Sequence, residues 1–155
     1  MTAMDSARKQ DGAASPEAEG ADILLVEDNP SYVELTLRAL RELAKDRVRI
    51  DIAEDGERAL TMLLAPGSAR KPRLIILDIK LPKVGGIEVL RQLRADERTK
   101  DLPVVVFTSS PEESDRVESY RLGANDYVVK PVGFTAFMEA VANIYRNWMK
   151  QLLVD

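Results

Sequence analysis

Two four-residue runs in this chain, Ile23-Leu24-Leu25-Val26 and Leu74-Ile75-Ile76-Leu77, are apolar at every position and stop abruptly at carboxylates, Glu27-Asp28 and Asp78. A strand with one face in water alternates apolar with polar residues, whereas one that is apolar throughout must be covered on both faces. Three further stretches read as strands in the same series. Arg47 to Ala53 alternates, Pro103 to Phe107 is apolar and runs into Thr108-Ser109-Ser110, and Tyr127 to Val129 precedes Lys130-Pro131. Arg73 is taken as the first residue of the third strand.

Each strand is followed by a helical pattern. Asn29-Pro30 supplies an N-cap with proline at the first helical position, and Val33, Leu37 and Leu40 then recur at helical spacing to about Ala44. Asp55-Gly56 leads into a helix carrying Ala59, Leu60, Leu63 and Leu64, ended by Pro66-Gly67-Ser68. A helix with Ile87, Leu90 and Leu93 inward follows Gly85-Gly86. A polar one opens at Pro111-Glu112-Glu113 and closes at Gly123, and the last runs from Phe134 through Trp148. Five strand-then-helix repetitions with doubly buried strands imply an α/β fold, a doubly wound five-stranded parallel sheet with helices on each side.

Composition narrows the chemistry. Among 155 residues there is no cysteine and no histidine, so no disulfide framework, thiolate zinc site, imidazole ligand or Ser-His-Asp triad exists. A net charge of −4 and an aromatic content of 5% disfavour nucleic-acid binding. No apolar run approaches a membrane span, and no secretory signal opens the chain, which is therefore expected in the cytoplasm. Residues 1–21, rich in Ala, Ser, Gly, Asp and Glu, read as a disordered tail. Residues 22–150 form the domain, and 151–155 a short C-terminal tail.

In a doubly wound sheet the ligand site lies at the carboxyl ends of the strands. Those ends carry Glu27 and Asp28, Asp78, Thr108 and Lys130. Any one of them is explained by capping or loop formation, but three carboxylates brought together repel one another unless a cation intervenes. An all-oxygen donor set points to Mg²⁺. Asp78 is the candidate nucleophile, able to form an aspartyl phosphate, with Thr108 and Lys130 placed to hold phosphoryl oxygens. A nucleotide site is poorly supported: the first turn, Glu27-Asp28-Asn29-Pro30-Ser31, contains no glycine.

At these residues the sequence resembles the receiver domain of two-component response regulators. The resemblance is carried by Leu25-Val26-Glu27-Asp28-Asn29, Leu77-Asp78-Ile79-Lys80-Leu81-Pro82 with Gly85-Gly86, Val106-Phe107-Thr108-Ser109, and Gly123-Ala124-Asn125-Asp126-Tyr127 leading to Lys130-Pro131. It runs from about Asp22 to Tyr145 and implies a flavodoxin-like (βα)5 fold with strand order 2-1-3-4-5. It further implies that Asp78 accepts a phosphoryl group from the phosphohistidine of a sensor histidine kinase. Asp28, Asp78 and the backbone carbonyl of Lys80 would then bind Mg²⁺, with Glu27 acting through metal-bound water. Thr108 and Tyr127 match the family's switch pair, Lys130 its phosphate-binding lysine, and the Lys130–Pro131 bond is expected to be cis.

The chain departs from the commonest pattern in having Gly85-Gly86 where Asp-Gly is usual, and in carrying Lys80 beside the site. Lys80 and Ser110 are expected to tune the lifetime of the phosphorylated state. The few residues after Lys130 suggest a stand-alone receiver. The Lys80–Gly86 loop, the polar Ala65–Pro72 stretch and the aromatic last helix resemble small receivers that serve bacterial phytochrome-type kinases. Trp148 and Leu152 suggest a homodimer seam along that helix.

Two other classes are weighed. A phosphohydrolase resembling the haloacid dehalogenase group would place a second Asp two residues beyond the nucleophile, where this chain has Lys80. A phosphorylation-independent adaptor would not need all five site residue types. The expectation is therefore a signalling module rather than an enzyme, with no nucleic-acid or membrane partner.

Overall fold

The computed structural model describes residues 20–67 and 71–149. Five strands alternate with five helices: β1 (Ile23–Val26), α1 (Pro30–Ala44), β2 (Ile50–Ala53), α2 (Gly56–Leu64), β3 (Leu74–Leu77), α3 (Gly86–Ala95), β4 (Val104–Thr108), α4 (Glu113–Arg121), β5 (Asp126–Val129) and α5 (Phe134–Met149). All neighbouring pairs are parallel and the order is β2-β1-β3-β4-β5, as the resemblance implies.

The continuous apolar runs divide their side chains between two cores, as the two-residue strand period requires. Ile23, Leu25, Leu74, Ile76, Val105 and Phe107 face α1 and α5 and pack with Phe137, Val141, Ile144 and Tyr145. Leu24, Val26, Ile75, Leu77, Val104 and Val106 face the other way, onto Ala59, Leu63, Val89, Leu90 and Leu93 of α2 and α3. With β1, β3 and β4 buried on both faces, their C-terminal ends are held in a fixed register, Val26 beside Leu77 and Leu77 beside Val106.

Local chemistry sets the element ends. The Asn29 side chain accepts hydrogen bonds from the backbone N–H groups of Ser31 (2.9 Å) and Tyr32 (3.3 Å), and Pro30 opens α1. Gly123, at φ 103°, ends α4: its N–H bonds to the Tyr120 carbonyl and that of Ala124 to Ser119, the paired bonds of a Schellman motif. Beyond them, Arg94 of α3 donates from Nε and Nη2 to the Gly123 carbonyl (3.0 and 2.8 Å) and from Nη2 to Asn125 Oδ1 (3.0 Å), tying α3 to the turn before β5.

Several boundaries move by a residue or more. The alternation from Arg47 marks extended chain, but ladder pairing starts at Ile50, because that is the residue opposite Ile23, the first of β1. β3 begins at Leu74 rather than Arg73, and β4 runs from Val104 to Thr108. β5 starts at Asp126, and α5 extends to Met149. Ala21, assigned to the tail from composition, is buried. Gly20, from the same stretch, is buried as well; residues 1–19 and 151–155, Leu152 among them, lie outside the described residues. Trp148 is half-buried and packs on the α1/α5 core, so its contacts within the chain already cover much of it. Among the described residues no helix is long and apolar enough to cross a membrane.

Candidate functional site

The sheet brings the polar ends of β1, β3, β4 and β5 to one edge. Lys130, immediately after β5, reaches back with Nζ 2.6 Å from Glu27 Oε1 and 2.9 Å from Asp78 Oδ2, and all three side chains are nearly inaccessible to solvent. The ammonium also lies 3.9 Å from the centroid of the Tyr32 ring, which forms one wall. Each carboxylate has a second tether. Glu27 Oε2 accepts the Asn29 N–H (3.1 Å), and Asp78 Oδ1 accepts the Lys80 N–H (3.0 Å). That last bond sets the Lys80 backbone directly beside Asp78.

Asp28, the exposed member, completes the acidic group: Glu27, Asp28 and Asp78 each offer a carboxylate oxygen, all within 4.8 Å of one another. Burial pushes the Glu27 carboxyl above the usual carboxylate range, and the hydrogen bond from Lys130 pulls the other way. Glu27 and Asp78 share one ammonium while Asp28 adds a third carboxylate, and every ligand atom this group offers is a hard oxygen. That set fits a divalent cation of the Mg²⁺ or Mn²⁺ kind and would offer little to a soft metal.

Thr108 is fully buried at the end of β4, and its Oγ1 accepts a long bond (3.4 Å) from the Ser110 N–H. Tyr127, on β5, is turned inward with its hydroxyl donating to the Ser110 carbonyl (2.8 Å), and the Arg116 guanidinium sits 5.0 Å from its ring centroid. Burial raises the Tyr127 phenol above its ordinary range. Ser110 therefore touches both Thr108 and Tyr127.

All the sequence-derived site residues thus gather at one edge: Glu27, Asp28, Asp78, Lys80, Thr108, Tyr127 and Lys130. One expectation is overturned. The Lys130–Pro131 bond is trans, since no cis peptide occurs among the described residues. Trans is the intrinsic preference even before proline, and from this backbone the Lys130 ammonium already reaches both carboxylates. Two participants escaped the sequence reading. Tyr32 gave no signal beyond its place in the first turn of α1. Asp115, in the first turn of α4, accepts a 2.5 Å hydrogen bond from Ser110 Oγ and lies 3.5 Å from Lys80 Nζ.

Comparison with known proteins agrees with this geometry. The family model for the response regulator receiver domain matches residues 23–142. Response regulator Rcp1 of Synechocystis sp. is 35% identical over 131 residues, which are 83% of this chain and 88% of that protein. A solved Mn²⁺-bound form of Rcp1 superposes with a TM-score of 0.74 at 34% identity, over 83% of this chain and 94% of that one. The phosphorylated cyanobacterial phytochrome response regulator RcpA gives 0.75 at 34% identity with the same coverage. The bacteriophytochrome response regulator RtBRR gives 0.64 at 47% identity, over 79% of this chain and 76% of that one. Several other curated relatives are longer, and the chain spans about half the length of those. With buried strands that deliver an acidic group and a lysine to one edge, and a family match over most of its length, the chain belongs to the response regulator receiver domain family of two-component signalling.

Proposed function

We propose that the chain accepts a phosphoryl group from a histidine kinase on Asp78 and passes the resulting change of state to a partner in a phosphorelay. The observation that carries this reading is the Lys130 ammonium bridging Glu27 and Asp78 in a nearly dry site. It neutralises the acceptor and stands ready to pair with a phosphoryl oxygen once Asp78 becomes an acyl phosphate. Glu27, Asp28, Asp78 and the Lys80 backbone carbonyl would hold Mg²⁺, which when bound offsets the charge of the incoming phosphoryl group. The Mn²⁺-bound form of Rcp1 supports a divalent ion in such a site.

In the transfer, Asp78 Oδ attacks phosphorus, the bond from phosphorus to the kinase imidazole nitrogen breaks, and the imidazole leaves with its electron pair. Thr108 then offers its hydroxyl to one phosphoryl oxygen and Lys130 its ammonium to another. These contacts exist only in the phosphorylated state, so they supply the differential free energy that a two-state switch requires. Tyr127 follows Thr108 because both are joined to Ser110. The likeness to RcpA and RtBRR favours a phytochrome-type kinase as donor.

The test is labelling of the wild-type chain and Asp78→Asn with acetyl phosphate and Mg²⁺, read by intact-protein mass. Wild type gains one phosphoryl group and the variant none; equal labelling of both would refute Asp78 as the acceptor. Sustained hydrolysis of a generic phosphomonoester would instead favour the phosphohydrolase reading.

A further inference from the structure

α4 is held in an unusual way. Of its residues only Ser119 is buried, and that hydroxyl has no hydrogen-bond partner, while Val117 and Tyr120 point outward. Apolar packing therefore contributes little to where this helix sits, and polar contacts do most of the work. The contact nearest the acceptor is Asp115. A single oxygen, Oδ2, receives the Ser110 hydroxyl at 2.5 Å and pairs with the Lys80 ammonium at 3.5 Å.

Both partners of Asp115 are adjacent to the chemistry. Lys80 bonds through its backbone N–H to Asp78 Oδ1, and Ser110 through its own to Thr108 Oγ1. The Lys80 side chain thus runs from the backbone beside Asp78 to α4, and the Ser110 side chain reaches the same carboxylate from the residue two beyond the end of β4. An exposed ion pair of this kind adds little to stability, so its consequence lies in what it positions.

We infer that Asp115 is a positioning residue that sets the lifetime of the phosphorylated state, by holding Lys80 and Ser110 across the approach of water to Asp78. The inference rests on Asp78 being the acceptor, as proposed above. In the step concerned, a water oxygen attacks phosphorus and the bond between phosphorus and the Asp78 oxygen breaks. Asp78 departs as a carboxylate, and both water protons end on the dihydrogen phosphate released. Asp115 touches none of the reacting atoms.

The experiment follows phosphate release from chain loaded with acetyl phosphate and freed of donor, for wild type, Asp115→Asn, Lys80→Met/Ser110→Ala, and the triple variant, with melting temperatures measured in parallel. Loss of the Asp115 charge is expected to speed release about fivefold, which corresponds to ~1 kcal/mol of barrier, the net size of one typical hydrogen bond. The same substitution made in the Lys80→Met/Ser110→Ala background is expected to change the rate by less than about 1.5-fold, because its partners are gone. Raising ionic strength should shorten the lifetime in wild type and not in the triple variant. A merely structural Asp115 would lower the melting temperature without this pattern. An unchanged or slower rate in Asp115→Asn, or an undiminished effect without Lys80 and Ser110, overturns the inference. Should Asp115→Asn not fold, Asp115→Glu takes its place, with a rate within twofold of wild type expected and a fivefold change overturning it. Failure of the wild type to take up phosphate would count against the acceptor reading, and so is told apart from failure of this one.

Discussion

Replacing Lys130 with Met tests the electrostatic core of the site, because the substitution keeps an apolar stem against Tyr32 and removes the charge. In the native arrangement one ammonium, 2% exposed, stands between two carboxylates that are 4% and 7% exposed. Taking away one partner of a buried pair leaves uncompensated charge, at a cost of about 3–5 kcal/mol. For a domain of this size that is a fall in Tm of roughly 10–20 °C, and a large part of the ~5–15 kcal/mol that a typical domain has. Relief comes from two directions. The Glu27 carboxyl, already raised by burial and lowered by the Lys130 hydrogen bond, rises further in the variant. An acid whose folded pKa is raised favours the folded state below its unfolded value and loses that advantage as pH climbs through the folded one. The deficit should therefore be smallest in acid and largest at neutral pH.

A divalent cation is the second source of relief. At tenfold its Kd a ligand of the folded state adds about 1.4 kcal/mol. Loss of the neighbouring ammonium strengthens cation binding, so Mg²⁺ should stabilise Lys130→Met by more than it stabilises the wild type. Urea unfolding at several pH values, with and without Mg²⁺, measures all of this. A loss below about 1 kcal/mol at neutral pH without metal, or equal Mg²⁺ increments in the two proteins, would refute the reasoning.

Other outcomes follow from single positions. A Cβ at Gly86 would lie 2.3 Å from the Asp78 carbonyl oxygen, so Gly86→Ala should cost about 1–3 kcal/mol in urea unfolding and impair labelling at Asp78. Gly85, at φ −68°, caps α3 without a side-chain bond and has room for a Cβ, so Gly85→Asp should raise stability by about 0.5–1 kcal/mol. Arg94→Ala removes the bonds to Gly123 and Asn125 and should cost about 1.5–3 kcal/mol, with faster amide exchange in the turn before β5. The Arg98 guanidinium and N–H hold the Asp96 carboxyl down at about 2, so NMR should show its titration there, moving toward 3.8 in Arg98→Ala. Because that pKa is depressed, the stabilisation from this contact is present above the unfolded value and is lost as pH falls toward 2.

The fold was legible because the strands are apolar on both faces, a pattern that few architectures accommodate, and because Asn29-Pro30, Asp55-Gly56 and Gly123 punctuate the helices with residues of defined geometry. The acidic edge was legible for a related reason: Glu27, Asp28 and Asp78 end buried strands, where the sheet itself fixes their position. Boundaries were less so, since alternation at Arg47–Arg49 signals extended chain without saying where a partner strand begins. Tyr32 and Asp115 were invisible. Each acts through a contact made by a side chain reaching from a helix into the strand-end layer, and nothing in a local window encodes which loop such a side chain meets. The expected cis bond at Lys130–Pro131 came from resemblance alone, and no local physical signal in the sequence could have checked it.

If Asp78 is phosphorylated as proposed, the placement of α4 bears on how a small chemical change there would reach a distant surface. A helix anchored by a large apolar face would need several kcal/mol to move, more than a few new contacts to a phosphoryl group deliver. α4 buries only Ser119, and is held by Asp115 to Ser110 and Lys80, by Glu118 to Arg91, and by the Tyr120 hydroxyl to Asp126 (3.2 Å). Such bonds are individually worth about 0.5–1.5 kcal/mol and exchange readily for water. A shift from 1:99 to 99:1 takes about 5.5 kcal/mol of differential interaction, which the proposed Thr108 and Lys130 contacts to a buried phosphoryl group can approach if α4 resists weakly. The polar character of this helix, which in isolation reads as poor core design, is on this reading the condition that lets Thr108 and Ser110 move it.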